Sequence, residues 1–197
     1  MKREFVEEPG RGMCVKFVVE PADLLRWSNT PERYRAPLLS GSFLHELEPL
    51  KAVQRLLAGD GILLVLAGEP GRGKSFAAAY ALSQRRGLWH RAPELARPPA
   101  EDEPDPVVRL RAVQLLVLDD VGLEHSPGGY ALSRILDVLD AREEQELPSI
   151  VTTNLSPAGF RDRYGERIAS RINGDPIGWI TCTGPDLRIR RGLAVAK

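Results

Sequence analysis

The residues with the most chemical potential lie at positions 68–75, where the chain reads Gly68-Glu69-Pro70-Gly71-Arg72-Gly73-Lys74-Ser75. This is the pattern G-x4-G-K-S, a lysine and a hydroxyl placed directly after a glycine-rich turn. Glycines let a backbone curl until successive N–H groups point inward, which suits an anion carrying several oxygens. A helix starting near Lys74 adds its positive dipole end to the same place. Lys74 is therefore expected to reach the β- and γ-phosphates of a nucleoside triphosphate, and the Ser75 hydroxyl to hold Mg²⁺. The competing reading is a glycine-rich turn and nothing more. The apolar run Ile62–Ala67 before the loop and the alanine-rich stretch after it favour the phosphate site, because they supply the strand and the helix that such a loop must join.

A second apolar run, Leu115–Leu118, ends in Asp119 and Asp120. Charges at the carboxyl end of a parallel strand lie in the crevice where such sheets bind ligands. Asp119 is the candidate for the magnesium, directly or through a water, and Asp120 for orienting or deprotonating the attacking water. Read without the upstream loop, the same two acids suit a helix cap and a surface turn. Glu124 is a second, weaker candidate base. A third run, Ile150–Thr153, leads into Asn154, whose amide suits the γ-phosphate or the water; Asn-Leu-Ser-Pro also reads as a helix start, and the two roles are compatible.

These groups need strands and helices to position them, and the pattern supplies both. Strands are expected at Ile62–Ala67, Gly87–His90, Leu115–Leu118, Ser149–Thr153 and Gly178–Thr183, and helices at Glu48–Ala58, Lys74–Arg85, Ala131–Glu144, Pro157–Tyr164 and Glu166–Ile172. That alternation predicts an α/β fold, a mostly parallel sheet covered by helices on both faces. Residues 1–41 have little periodicity and read as an arm with one short strand at Cys14–Val19, leaving 42–197 as the ATP-binding domain. Pro93–Pro106, with five prolines and a cluster of acids, reads as an exposed, mobile loop, either a partner tether or a surface linker.

Composition narrows the classes further. The chain has 197 residues, 43% hydrophobic and 27% charged, which fits one folded domain with short extensions. No apolar run approaches the roughly 20 residues of a membrane span, and the start, MKREFVEEPG, lacks a signal-peptide core, so a cytoplasmic protein without membrane contact is expected. Lys plus Arg equals Asp plus Glu at 27 each, so no global field recruits nucleic acid, although the segment from Arg161 to Lys197, with Arg190 and Arg191, is locally basic. Cys14 and Cys182 have neither disulfide nor zinc spacing, and His45, His90 and His125 are scattered. No metal beyond nucleotide-bound Mg²⁺ is implied.

With these residues in place, the chain resembles the DnaC/IstB-type helicase loaders of the AAA+ ATPases. The resemblance runs from TPERYR at 30–35, through GEPGRGKS at 68–75, LLVLDDVGLE at 115–124, LDAR at 139–142, IVTTNL at 150–155 and YGERIASRI at 164–172, to GPDLR at 184–188. It implies a P-loop NTPase fold with a five-stranded sheet in the order 5-1-4-3-2 and no separate C-terminal lid. It implies ATP and Mg²⁺ as ligands, bound by the loop residues Gly68, Glu69, Pro70, Gly71, Arg72, Gly73, Lys74 and Ser75 with Phe76 behind them.

The same resemblance makes Asn154 a sensor of the γ-phosphate and Arg171 an arginine finger for a neighbouring subunit, with Arg167 as runner-up; the pair also reads as the solvated face of a helix. It places Tyr34 and Arg35 near the adenine, although PERYR reads equally as an extended arm packing on the fold. Arg188 matches a nucleotide-sensing tail position, with Asp186 where the family carries Ser. The function implied is ATP hydrolysis in a homo-oligomer that loads or remodels a replicative helicase on DNA, with single-stranded DNA as a further partner. The alternatives are a transposition helper acting on a transposase, and a nucleotide-gated binding module with little turnover. The chain departs from the loaders in having about 29 residues before the shared region and an acidic loop where DNA-touching helices are expected, which weakens contact with phosphates there.

Overall fold

The computed structural model describes residues 2–8, 12–41, 47–125 and 127–188. His45, Arg190, Arg191, Lys197 and the side chain of Cys14 lie outside the described residues.

The chain opens with an antiparallel hairpin, β1 (Lys2–Glu8) and β2 (Gly12–Val18). The single strand expected here is the second of the pair. The first, KREFVEE, carries too many charges to show as apolar alternation, yet its backbone closes the ladder from Lys2 opposite Val18 to Glu8 opposite Gly12. Two helices follow, α1 (Pro21–Trp27) and α2 (Glu32–Ser40). PERYR is thus the start of a helix and not an extended stretch. Pro21 in the first turn of α1 and Gly41 in the left-handed region after α2 set these boundaries. Both helices were hidden by short apolar stripes, but Leu25 and Leu38 are buried in the same cluster as Val53 and Ala78. Next comes α3 (Glu48–Ala58), at its expected bounds.

The sheet then builds by alternation: β3 (Leu63–Ala67), α4 (Lys74–Gln84), β4 (Leu88–Arg91), α5 (Pro106–Ala112), β5 (Leu116–Val121), α6 (Tyr130–Glu144), β6 (Ser149–Thr153), α7 (Pro157–Tyr164), α8 (Glu166–Gly174) and β7 (Gly178–Thr181). All five strands are parallel, in the order β4-β5-β6-β3-β7. Counted within the sheet this is 2-3-4-1-5, the expected 5-1-4-3-2 read from its other edge. Side chains alternate between the faces: Leu64 and Leu66 pack under α1–α4, while Leu63 and Val65 pack with Phe160, Ile168 and the helices on the opposite side.

The acidic segment is only partly a loop. Ala92–Ala96 forms a short 3₁₀ turn with Leu95 buried, and Asp105 caps α5 by accepting from the Val107 N–H at 2.9 Å while pairing with Arg134. Glu101, Asp102, Glu103 and Pro104 between them are exposed. No helix among the described residues is long and apolar enough to cross a membrane.

Candidate nucleotide-binding site

The site follows from where β3, β5 and β6 end. After Ala67 the chain turns through the glycine loop and enters α4 at Lys74, with Gly73 at φ 82° serving as the cap of that helix. Gly71, at φ 85°, is also left-handed, and a Cβ there would run into the Asp186 carboxylate. Position 71 of the loop therefore favours a residue without a side chain. The 184–188 segment closes over it: the Leu187 N–H donates to Gly71 O at 2.9 Å, and Arg72 donates to Gly184 O and pairs with Glu69.

Lys74 is buried, and its Nζ donates to Gly68 O at 2.6 Å, Glu69 O at 2.9 Å and Asn154 Oδ1 at 2.9 Å. Burial pushes the ammonium's pKa down, and the nearby charges of Asp120 and Asp119 push it back. The Lys74–Asn154 contact ties the end of β6 to the loop after β3, which neighbouring strands in this order make possible.

Asp119 is the buried acid of the site. Its Oδ1 accepts from Ser75 Oγ at 2.8 Å and from Thr152 Oγ1 at 2.7 Å. Burial raises its pKa; Asp120 adds to the rise, while the hydrogen bonds from Thr152 and Ser75 oppose it. Asp120 differs in every respect. A register irregularity between Leu118 and Val121 interrupts the β5–β6 ladder, and Asp120 adopts φ 61°, a conformation unfavourable for a residue with a Cβ. Its N–H is caught by Thr152 Oγ1 at 3.0 Å, and its carboxylate faces the cavity and pairs with Arg91 at 3.3 Å.

A cavity of about 690 Å³ spreads from these groups to an apolar wall. It is lined by Pro70, Gly71, Arg72, Gly73, Lys74, Ser75, Phe76, Asp120, Asn154, Tyr34 and Arg188, so eleven of the sequence candidates come together. Asp119 lies just outside the lining, reached through Ser75. Gly68 and Glu69 take part through the carbonyls that hold Lys74. The Tyr34 ring stands edge-on to Phe76 at 6.3 Å and tilted on Trp89 at 5.7 Å, forming the flat apolar end.

Other candidates lie elsewhere. Arg35 is turned away from the cavity, bonded to Thr30 O at 2.8 Å and Glu32 at 2.8 Å. Arg171 and Arg167 do not line the cavity of their own chain; both pair with Asp140, and Arg171 also with Glu143 at 2.7 Å. Glu124 does not face the cavity either. It is buried, accepts from the Gly122 N–H at 2.8 Å, Arg163 at 2.9 Å and the Tyr164 hydroxyl, and so braces the β5 turn against α7. Lining residues that sequence reasoning passed over are Arg33, Pro37, Leu47, Leu123 and Leu187, together with Thr152 behind the acids. Arg33 and Leu187 sit beside chosen neighbours, and a helical start at Glu32 would have set Arg33 and Arg35 at different angles.

The donor set fits magnesium with a polyphosphate. One carboxylate and one hydroxyl are joined at 2.8 Å, and no group of three His, Cys, Asp or Glu residues able to hold a metal by itself occurs among the described residues. Mg²⁺ takes hard oxygen ligands, few of them from protein, with waters and phosphate oxygens completing the shell.

This fold and site define the class: a five-stranded parallel sheet in the order β4-β5-β6-β3-β7 with a glycine loop at its strand ends, a fold shared with solved structures of replication proteins. No protein-family model matches the sequence, and no curated protein does. Among solved structures, the chain is similar to DnaI (23% identity, 85% of this chain and 94% of that one, TM-score 0.56). It is similar to the DnaC helicase loader (22% identity, 80% and 99%, TM-score 0.53). A third is the replication initiator DnaA bound to AMPPCP and single-stranded DNA (20% identity, 84% and 56%, TM-score 0.63). The chain therefore spans nearly the whole of the DnaI and DnaC helicase loader structures but little more than half of the initiator, and at these identities the likeness is one of fold.

Proposed function

We propose that this chain binds ATP with Mg²⁺ in the cavity at the ends of β3, β5 and β6, hydrolyses it, and works as a homo-oligomer on a replicative helicase at DNA. One observation carries the reading: the Lys74 ammonium, the Asn154 amide, the Ser75–Asp119 pair and the Asp120 carboxylate converge on one cavity large enough for a nucleotide.

Each side chain then has a task. Lys74 exchanges its carbonyl contacts for the β- and γ-phosphates, and Asn154 senses the terminal phosphate from the neighbouring strand end. Ser75 and Asp119 hold the magnesium, which when bound neutralises charge on the phosphate oxygens. Asp120 accepts a hydrogen bond, and in turnover a proton, from the attacking water; for this it must leave Arg91. Arg171, with Arg167 behind it, serves a neighbouring subunit once released from Asp140 and Glu143. The likeness to a DnaC helicase loader and to DnaI supports the helicase as client, and the DnaA structure with single-stranded DNA supports contact with a strand. A transposase client uses the same site, and a cytoplasmic setting suits either.

The ion pairs that hold Asp120 and Arg171 favour a second reading, a nucleotide-gated binding module with little turnover, in which ATP selects one partner-competent shape. Steady-state phosphate release by wild type and Lys74→Ala separates the two. The ATPase reading expects turnover that Lys74→Ala abolishes; ATP binding without turnover leaves the module, and ATP affinity unchanged by Lys74→Ala removes the phosphate site. Pull-down with replicative helicase or transposase in ATP then tests the client.

A further inference from the structure

Two arginines that line the cavity, Arg33 and Arg188, have no task in the reading above, and Arg188 belongs to the 184–188 segment that closes over the glycine loop. Of its cations, Lys74 is bonded to Asn154 and two carbonyls, and Arg72 to Glu69 and Gly184 O. Arg35 is fixed to Thr30 and Glu32, while Arg171 and Arg167 are paired with acids of α6. Arg33 is different. It lies in the first turn of α2, it is exposed, and it makes no hydrogen bond or ion pair with a described residue. Its guanidinium carbon stands 4.8 Å from the centroid of the Tyr34 ring, within cation–π range. Tyr34 is in turn fixed by Phe76 and Trp89. A cation stacked on a ring face is oriented through its π surface while the N–H groups around its edge keep their hydrogen-bonding capacity. Here they border a cavity that also presents Lys74, Arg188, Ser75 and Asn154, with Asp120 as the one acid among its described lining residues.

We infer that Arg33 is a polyphosphate-binding residue supplied in cis, held ready on Tyr34 at the border of the cavity that the glycine loop also lines. The inference rests on the ATP site proposed above. An arginine presented by α2 gives the nucleotide a charged contact that needs no neighbouring subunit, and it couples the position of α2 to occupancy of the site.

Titration calorimetry with Mg·ATP on wild type, Arg33→Ala, Arg33→Lys and Arg33→Met tests this, with thermal melting to establish that each variant folds. The expected result is an ATP Kd raised roughly tenfold or more in Arg33→Ala, the scale of a lost charge-assisted hydrogen bond. Arg33→Lys should lie nearer wild type than Arg33→Met, because the charge and not the packing is what phosphate needs. The gap between wild type and Arg33→Ala should also narrow as KCl is raised. Unchanged affinity in Arg33→Ala overturns the inference, as does recovery by Met equal to or better than by Lys, which would make Arg33 a packing or base contact. Failure of wild type itself to bind Mg·ATP would instead overturn the reading of the whole site.

Discussion

Arg91, the last residue of β4, pairs with Asp120 across 3.3 Å, so the proposed water-orienting acid is held by the neighbouring strand. The two strands are adjacent, and the register sets Arg91 opposite Asp119, one residue from its ionic partner. Asp120 keeps its left-handed backbone because Thr152 accepts its N–H and Arg91 takes its carboxylate. Both members of the pair are partly exposed, so the ion pair contributes at most about 1 kcal/mol.

Arg91→Ala should therefore free Asp120 and raise steady-state ATP turnover modestly, about two- to fivefold, a change on the order of 1 kcal/mol in the barrier. Asp120→Asn should keep ATP binding while turnover disappears. Phosphate-release kinetics at saturating ATP checks both. A fall in turnover on removing Arg91 would show instead that the arginine positions the acid for its task.

Asp119→Asn should stabilise the protein while weakening its use of magnesium. The folded-state pKa of Asp119 is raised by burial, so the folded protein holds that proton more tightly than the unfolded chain. An acid shifted upward makes stability fall as pH rises from the ordinary carboxyl value of 3.8 through the raised one, and the full penalty is present at neutral pH. Asparagine keeps an oxygen for Ser75 and Thr152 and removes the buried charge. The melting temperature at pH 7 should rise by a few degrees, on the scale of roughly 2–4 °C per kcal/mol for a domain of this size. The stability gained by Asp119→Asn should shrink as pH falls toward 4 and wild-type Asp119 takes up its proton, and the Mg²⁺ dependence of ATP affinity should be lost in the variant. Differential scanning at several pH values and titrations with and without Mg²⁺ read the two effects.

Glu124, the weaker candidate base, yields a structural prediction. Removing it strips buried partners from Arg163, Tyr164 and the Gly122 N–H at once. Arg163 is partly exposed and can turn to water, which limits the cost, so Glu124→Ala should destabilise by about 2–3 kcal/mol in urea unfolding. A fold of wild-type stability with turnover gone would restore Glu124 to the chemistry.

The sheet was legible in the sequence because each strand is a short apolar run next to glycine or acid punctuation, and the phosphate loop because its chemistry constrains both spacing and context. Asp119 and Asp120 followed from a strand end read together with the phosphate loop, and Asn154 from a strand end together with the family resemblance. What escaped notice depends on contacts distant in sequence. Arg33 and Arg35 are equivalent in type, and only the helical turn from Glu32 sends one to the cavity and the other to Thr30. Pro93–Pro106 read as loop throughout, yet Leu95 is buried and Asp105 caps a helix, because proline is welcome in first turns. Nothing in the sequence pattern marks Asp175, yet its carboxylate accepts from Ile62 N at 2.8 Å and Leu63 N at 2.9 Å, fastening the start of β3 from the end of α8.

Arg142 shows how far the site's geometry depends on a residue remote from it. It is buried without a carboxylate, and its guanidinium donates to Leu110 O at 2.8 Å, Val113 O at 2.7 Å, Pro148 O at 2.7 Å and Ser149 Oγ at 2.7 Å. Burial pushes its pKa down to about 10, so it remains charged at neutral pH. One cation thus joins the end of α6 to the close of α5 and to the first residue of β6, the strand that carries Thr152 and leads to Asn154. Arg142→Met preserves much of the volume but strips the arginine donors from Leu110 O and Val113 O, at about 1–3 kcal/mol each, and leaves Pro148 O with the Leu116 N–H alone. The expected loss is at least about 3 kcal/mol in urea unfolding at pH 7, with Arg142→Lys intermediate because an ammonium has fewer donors and less reach. Because Arg142 holds Pro148 and the first residue of β6, ATP affinity should fall in Arg142→Lys under conditions where the protein is still folded; an unchanged affinity would show that β6 is positioned by its sheet neighbours alone.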